Sequence, residues 1–309
     1  MSTNFGHSTT GEEVVEAFKA HVQGRVFVVT GPAPNGIGAS TALALARGKP
    51  AAILLAGRSP TKYAPVADGI RAIDPAIAVK TYAVDLGSIT SVRAGAAQLL
   101  AENDRIDVLI NNAGATSYTL EKSVDGIELN FATNHVGHFL LTKLLLPALR
   151  KGDAPRVVNL TSGAHRTAVG DYDDYNFENK PYSWYQSYAE SKLANVHFTQ
   201  YLATHGKGLV SLSVHPGTIW STNLSRTVDE EEQQRTKAYV ESLGVKEKTL
   251  EQGASTTLVA ALDPAFAEHN GAYMSDCQVA PVGCEAASRA DLAEKLWKLS
   301  EKLIGEPFE

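Results

Sequence analysis

The sequence predicts an α/β fold, a doubly wound parallel sheet between helices in three layers and a single domain. Three observations carry this. Strand-like apolar runs alternate with helical segments from Val26 onward, the runs are apolar on both faces, and a glycine-rich turn follows the first of them. Alternation of this kind specifies right-handed βαβ crossovers, whose strands lie parallel and covered on both sides. Such sheets bind ligands at the carboxyl ends of their strands.

The elements follow in order. Residues 1–10 are polar and expected to be loose, and "GEEVVEAFKAHV" then places apolar residues at helical spacing. Strand and helix next alternate as "RVFVVT" and "GIGASTALALARG", "AAILLAG" and a proline-broken helix, "AVKTYAVD" and "SITSVRAGAAQLLAEN", and "IDVLI" and "FATNHVGHFLLTKLLLPAL". After "RVVNLT" come a polar aromatic insertion, the helix "YAESKLANVHFTQYLATH" and the strand "LVSLSVH". The charged run "RTVDEEEQQRTKAYVESLGVKEK" reads as a solvated helix or flap.

Composition narrows the function. The 309 residues are 44% hydrophobic and carry a formal charge of −6, which argues against a polyanion such as nucleic acid as the main partner. The longest apolar runs fall short of the roughly 20 residues that span a bilayer. With no charged-then-apolar leader at the start, the expected compartment is the cytosol. Cys277 and Cys284, in "CQVAPVGC", match no zinc-ribbon or CxxC spacing and are expected to be idle thiols.

The turn "TGPAPNGIGAS" spans Thr30 to Ser40. Gly36 and Gly38 permit close backbone approach, and Ile37 opens a helix whose positive end favours an anion. Pro32 and Pro34 lack an N–H, but Ala33, Asn35, Gly36, Ile37 and Gly38 retain theirs. A phosphate cradle fits, and so does a merely steric strand-to-helix turn. Arg58, in "LLAGRS" after the second strand, decides between cofactors: an acidic residue there would accept from a free ribose hydroxyl, whereas a guanidinium pairs with a 2′-phosphate. NADP(H) is therefore expected, unless Arg58 is only a surface arginine.

"SYAESKLAN" sets Tyr188 and Lys192 four residues apart, on one face of a helix. A tyrosine near its ordinary pKa of about 10 is a poor acid–base at neutrality, and a nearby ammonium together with a cationic nicotinamide ring would lower it. Ser162 ends the strand of "RVVNLTSGAH" with a hydroxyl that can orient a carbonyl. "NNAG", Asn111 to Gly114, ends another strand, and Asn134 lies in a helix. Asn111 and Asn134 read equally well as buried structural amides. His135 and His138 stand at i and i+3 without a third ligand, so no metal site is expected.

Taken together, "TGPAPNGIG", "VDL" with Asp85 and Leu86, "NNAG", Asn134, Ser162, the Tyr188–Lys192 pair and "HPG" at 215–217 resemble the short-chain dehydrogenases/reductases, from about Val26 to Tyr273. The stretches "NHVGHFLLTKLLLPAL", "RVVNLTSGAHR" and "YAESKLANVHFTQYLA" are similar to retinol-dehydrogenase-like and fungal reductases. The turn departs from TGxxxGxG by one extra residue between Gly31 and Gly36, and the Pro32–Pro34 segment is expected to bulge toward the adenosine with the phosphates on Asn35 to Gly38.

The resemblance implies a Rossmann fold. Residues 1–24 would be an N-terminal extension and helix, and 25–309 an NADP-binding domain with inserted substrate loops near 168–187 and 218–250. Ser162 would polarise the substrate oxygen, Tyr188 would exchange its proton, and Lys192 would lower the Tyr188 pKa and bind the nicotinamide ribose. Asn134 would hold a water linking Lys192 to solvent. Gly31, Asn35, Gly36, Ile37, Gly38, Arg58, Asp85, Leu86, Asn112, Ala113 and Gly114 would line the cofactor, with Tyr188, Lys192, Pro216, Gly217 and either Ser221 or Thr222 at its nicotinamide end. Relatives form dimers or tetramers through the helices bearing Asn134 and Tyr188, while those with long insertions can be monomers, so a homodimer stays open.

The expected activity is hydride transfer between NADP(H) and a ketone, aldehyde or secondary alcohol. Tyr172, Tyr175, Phe177, Tyr182, Trp184, Tyr185 and Trp220 either line an apolar substrate mouth or form the insertion's own small core. Two rivals remain. A non-catalytic NADP(H)-binding regulator would usually show a broken tetrad, and an extended-branch epimerase or dehydratase would carry TGxxGxxG and a larger carboxyl-terminal domain.

Overall fold

The apolar runs become strands that are covered on both faces in the middle of the sheet and partly exposed at its β3 edge, as helices packed above and below a sheet require. The computed structural model describes residues 4–222, 224 and 229–308. Its strands are β1 (Val26–Thr30), β2 (Ala52–Gly57), β3 (Ala78–Ala83), β4 (Val108–Asn111), β5 (Arg156–Leu160), β6 (Val210–His215), β7 (Tyr273–Ser275) and β8 (Gln278–Val279). They form one sheet in the order β3-β2-β1-β4-β5-β6-β7-β8, parallel from β3 to β7. The strand order reverses between β1 and β4, and a doubly wound sheet opens its ligand crevice there. The resulting three-layer sandwich is the fold the sequence predicts.

The helices are α1 (Gly11–Ala17), α2 (Ile37–Ala46), α3 (Ala64–Ile73), α4 (Ile89–Glu102), α5 (Leu129–Phe131), α6 (Gly137–Leu149), α7 (Trp184–His205), α8 (Glu230–Ser242), α9 (Leu250–Leu262) and α10 (Ala290–Ile304). Between α5 and α6 the chain makes one wide π turn, Ala132–Val136, which carries Asn134. Wide turns of this kind are frequent at functional sites. The proline-broken helix appears as a 3₁₀ turn, Pro60–Tyr63, leading into α3. Helix α8 buries none of its residues, as a solvated helix does. No helix among the described residues is long and apolar enough to cross a membrane.

Three features depart from the sequence reading. Residues 4–10 are not loose: the Phe5 ring packs edge-on against Phe18, the Phe5 carbonyl accepts from Gln278 Nε2 at 2.9 Å, and Thr10 forms a capping box with Glu13. Valines 14, 15 and 22 then join the core on the α9 side of the sheet. Strand β8 runs antiparallel, because the turn between Ser275 and Gln278 holds Asp276 and Cys277 both at positive φ, the geometry of a tight hairpin. Finally, α10 lies across α7, with Trp297 5.0 Å from Phe139 and 4.6 Å from Tyr201 between ring centroids. Phe308 closes the same cluster 4.8 Å from Phe139.

Candidate active site

The glycine-rich turn is built from its own backbone. Gly31 sits at φ +63°, where a Cβ would come within 2.8 Å of Ala113. The extra residue is absorbed by two successive turns, the Ala33 N–H donating to the Gly31 carbonyl at 2.8 Å and the Gly36 N–H to the Ala33 carbonyl at 3.1 Å. Asn35, at φ +58°, turns the chain into α2. Two of the N–H groups expected to face a phosphate are thus consumed inside the turn. The start of α2 still presents Ile37 and Gly38, whose N–H groups have no acceptor within a helix.

Asn112 braces this turn from the end of β4, donating through Nδ2 to the carbonyls of Thr30 at 2.8 Å and Gly31 at 3.3 Å. A Cβ on Gly38 would fall 2.4 Å from that same Nδ2, so the glycine is required by the amide packed against it. Asn111 is a structural amide. It donates to Thr142 Oγ1 at 3.1 Å and to Asn159 Oδ1 at 2.8 Å, beneath the sheet. Arg58 stands exposed directly after β2. The Asp85 carboxylate accepts from the Gly87 N–H at 3.0 Å, and the Leu86 carbonyl lies so near Gly137 that a Cβ there would clash.

Ser162, Tyr188, Lys192 and Asn134 converge. Ser162 Oγ accepts the Ala164 N–H at 3.2 Å and lies near enough to the Tyr188 phenol to lower its pKa. Lys192 Nζ lies 5.7 Å from the Tyr188 ring centroid and donates to the Leu160 carbonyl at 3.2 Å. The Asn134 side chain accepts the Ala115 N–H at 2.7 Å and donates to the Ala115 carbonyl at 3.0 Å and to Ser191 Oγ at 2.9 Å. Gly114 faces the centre of the group: a Cβ there would lie 3.5 Å from Lys192 Nζ, 3.6 Å from Leu224 Cδ1 and 3.7 Å from Asn134 Oδ1.

Burial pushes the Tyr188 phenol up to about 12, opposed by the nearby Ser162 hydroxyl, and pushes Lys192 down to about 8. Burial outweighs whatever lowering the Lys192 ammonium, 5.7 Å from the ring centroid, gives the phenol. At neutral pH the phenol keeps its proton and the lysine its charge.

The segment after β6 closes one side. Gly217, at φ +90°, is packed against the Lys248 stem, and the Lys248 ammonium pairs with Asp276 at 2.6 Å. Pro216 is buried; Ser221 lines an open cleft with Lys248, Thr249 and Leu250, and Thr222 is half-buried beside it. Thr116 Oγ1 donates to the Leu224 carbonyl at 2.6 Å, drawing this segment over Gly114. Within the predicted 218–250 insertion, residues 223 and 225–228 lie outside the described residues.

Most of the aromatic insertion packs on the helices beneath it. Tyr172 is buried with its hydroxyl 2.7 Å from His197 Nδ1, Tyr175 packs against Phe131, and Phe177 against Tyr182. The cavity beneath them, near 10 Å³, has room for about one water. Of the aromatic residues named from the sequence, Tyr172 and Phe177 are buried and Tyr175, Tyr182, Trp184, Tyr185 and Trp220 half-exposed, with Tyr185 one helical turn before Tyr188.

Several positioning residues were not singled out from the sequence. Glu190, inside "YAESK", accepts the N–H groups of Val169 and Gly170 at 2.9 and 3.0 Å and holds the insertion against α7. His165 bridges the carbonyls of Ser162 and Val282 at 2.5 and 2.6 Å. A buried glutamate between a tyrosine and a lysine on one helix was the available signal for Glu190. His135 and His138 share no ligand direction, His135 meeting Ser300 Oγ at 2.7 Å and His138 meeting Thr30 Oγ1 at 2.9 Å.

A tyrosine, a lysine and a serine gathered at the switch point of a doubly wound sheet, beside an open helix start, define a nucleotide-dependent oxidoreductase. A family model described as short chain dehydrogenase matches residues 25–233, and the chain belongs to this family. Its likeness is to the retinol-dehydrogenase-like branch: it is 39% identical over 289 residues to Retinol dehydrogenase 11 of Homo sapiens, covering 93% of this chain and 87% of that one. Short-chain dehydrogenase TIC 32 A, chloroplastic, of Brassica napus is 34% identical over 315 residues, covering 98% and 95%. Among solved structures, an uncharacterized protein from Mycobacterium Paratuberculosis superposes with a TM-score of 0.71 at 32% identity, covering 93% of this chain and 96% of that chain.

Proposed function

We propose that the protein is an NADP(H)-dependent oxidoreductase that interconverts a ketone or aldehyde and the corresponding alcohol on an apolar substrate. The convergence of Ser162, Tyr188, Lys192 and Asn134 around Gly114 carries this reading. The residues present fit the cofactor: the N–H groups of Ile37 and Gly38 suit a diphosphate, Arg58 suits a 2′-phosphate, and the absent Cβ of Gly114 leaves space between Lys192 and Asn134. A reduced nicotinamide bound there supplies the hydride. Ser162 donates to the substrate oxygen and orients its carbonyl. Tyr188, protonated at neutral pH, delivers the proton to that oxygen, which is the state a reduction needs. Lys192 holds positive charge within 5.7 Å of the Tyr188 ring centre and favours the phenolate left behind.

The names of the retinol dehydrogenase relatives make all-trans-retinal a first substrate to test, beside simple aromatic aldehydes and ketones. Oxidation of NADPH followed by absorbance across that panel, with NADH in parallel, tests the reading. A charge-assisted contact is worth about 1.5 to 3 kcal/mol, so Arg58→Ala is expected to erode the preference for NADPH by roughly ten- to a hundredfold. Equal use of both cofactors by the unaltered protein overturns the NADP(H) assignment. We further infer a monomer at the α6–α7 face, because α10 covers it with Trp297 and Phe308. Light scattering on the eluting protein checks that mass.

A further inference from the structure

His138 lies four residues beyond Asn134, at the start of α6, fully buried and outside the acid–base group described above. Its two ring nitrogens meet two different parts of the site. Nδ1 is 3.0 Å from the Asn134 carbonyl and Nε2 is 2.9 Å from Thr30 Oγ1, the last residue of β1 before the cofactor turn. A carbonyl oxygen only accepts, so Nδ1 carries the proton. A neutral ring then leaves Nε2 with its lone pair, and the Thr30 hydroxyl donates to it. Burial, with the Lys192 charge nearby, holds the His138 pKa near 4, which keeps the ring neutral at physiological pH.

The hydrogen bonds run on at both ends. The Ala113 N–H donates to Thr30 Oγ1 at 3.0 Å, joining "NNAG" to the strand before the cofactor turn. On the other side the Asn134 amide donates to Ser191 Oγ, and the Ser191 hydroxyl donates to the Tyr188 carbonyl at 2.7 Å. The line therefore passes from Ala113 through Thr30, His138, Asn134 and Ser191 to the backbone of Tyr188.

We propose that His138 is a positioning residue: as the neutral Nδ1–H tautomer it ties the cofactor turn at Thr30 to the catalytic turn at Asn134. Leucine at 138 fills similar space but leaves the Thr30 hydroxyl only the Ile110 carbonyl, 3.4 Å away, as an acceptor. The cofactor turn then loses its link to α6. Glutamine at 138 still offers Thr30 an oxygen. The role of Asn134 and Tyr188 in catalysis rests on the proposed function, whereas the tautomer and cofactor binding are measured without any substrate.

The test is nitrogen-15 NMR of histidine-labelled protein at pH 7, with the His138 resonances assigned by their loss in His138→Gln, together with NADPH titrations of the variants. A protonated Nδ1 and an unprotonated Nε2 are expected. His138→Leu is expected to bind NADPH about tenfold more weakly than the parent, and His138→Gln to stay within threefold. A proton on Nε2, or on both nitrogens, overturns the proposal whether or not the leucine variant folds. So does a folded His138→Leu that binds NADPH within threefold of the parent.

Discussion

On the cofactor side, the Gly31–Gly38 turn is braced by Asn112 at the end of β4 and, through Thr30, by His138 of α6, all in the middle of the sheet. On the substrate side, residues 168–187 are held to the body by side chains spread along the segment: Glu190 to Val169 and Gly170, Tyr172 to His197 and Phe131, Tyr175 to Phe131, Asn176 to the Glu128 N–H at 2.8 Å, and the Tyr182 hydroxyl to the Ser117 carbonyl at 2.8 Å. The first region repeats its support through several groups. The second is held by separate side-chain contacts spread over its length. Chemistry common to a family needs fixed geometry, and a cover fastened by side chains at its own surface can vary without disturbing the strands beneath.

Substitutions on the two sides are therefore expected to fail differently. Lys192→Met, in the braced region, should lower turnover by roughly a hundred- to a thousandfold, as removal of a preorganised charge does. In the unaltered protein the same group sets a pH limit. Its pKa is lowered to about 8, so the ammonium is present below that pH and lost above it, and the reduction rate should fall as pH rises through 8. A flat profile from pH 7 to 10 would show that the charge is not used.

Glu190→Ala frees Val169 and Gly170 and strands two backbone donors, at a cost of about 1 to 3 kcal/mol each where water cannot reach them. Thermal unfolding is expected to shift down and KM for the substrate to rise, with kcat within a few-fold of the parent. An equal loss in kcat would place Glu190 in the chemistry. The smallest effect is expected from Tyr172→Phe, which removes one buried hydrogen bond to His197. Stability should fall by about 1 kcal/mol with turnover unchanged, as measured by denaturant unfolding and a rate assay.

Legibility in the sequence follows the same division. Tyr188 and Lys192 were readable because helical spacing places them on one face, and the strands were readable because a sheet covered on both sides demands continuous apolar runs. The aromatic insertion was ambiguous, since the same residue types suit a binding mouth and a small core; Tyr172 and Tyr175 pack instead on α5 and α7, and Phe177 meets Tyr182 within the insertion. The His138 link was not readable, because Thr30 lies 108 positions away and only the folded sheet brings the two together. The docking of α10 was unreadable for the same reason: its apolar spacing marks a helix, but nothing local in Trp297 announces Phe139 and Tyr201 as partners. The burial that dominates the phenol was not readable, because spacing shows that Lys192 is near Tyr188 without showing how deeply both are enclosed.

The central claim is that Tyr188 moves the proton while other groups hold the cofactor. Tyr188→Phe keeps the ring and removes only the hydroxyl, so NADPH turnover with the best carbonyl substrate of the panel, read beside an NADPH titration, tests it most directly. The expected result is a loss of at least about 10²- to 10⁴-fold in turnover with NADPH affinity unchanged within threefold. Turnover that survives the substitution would contradict it.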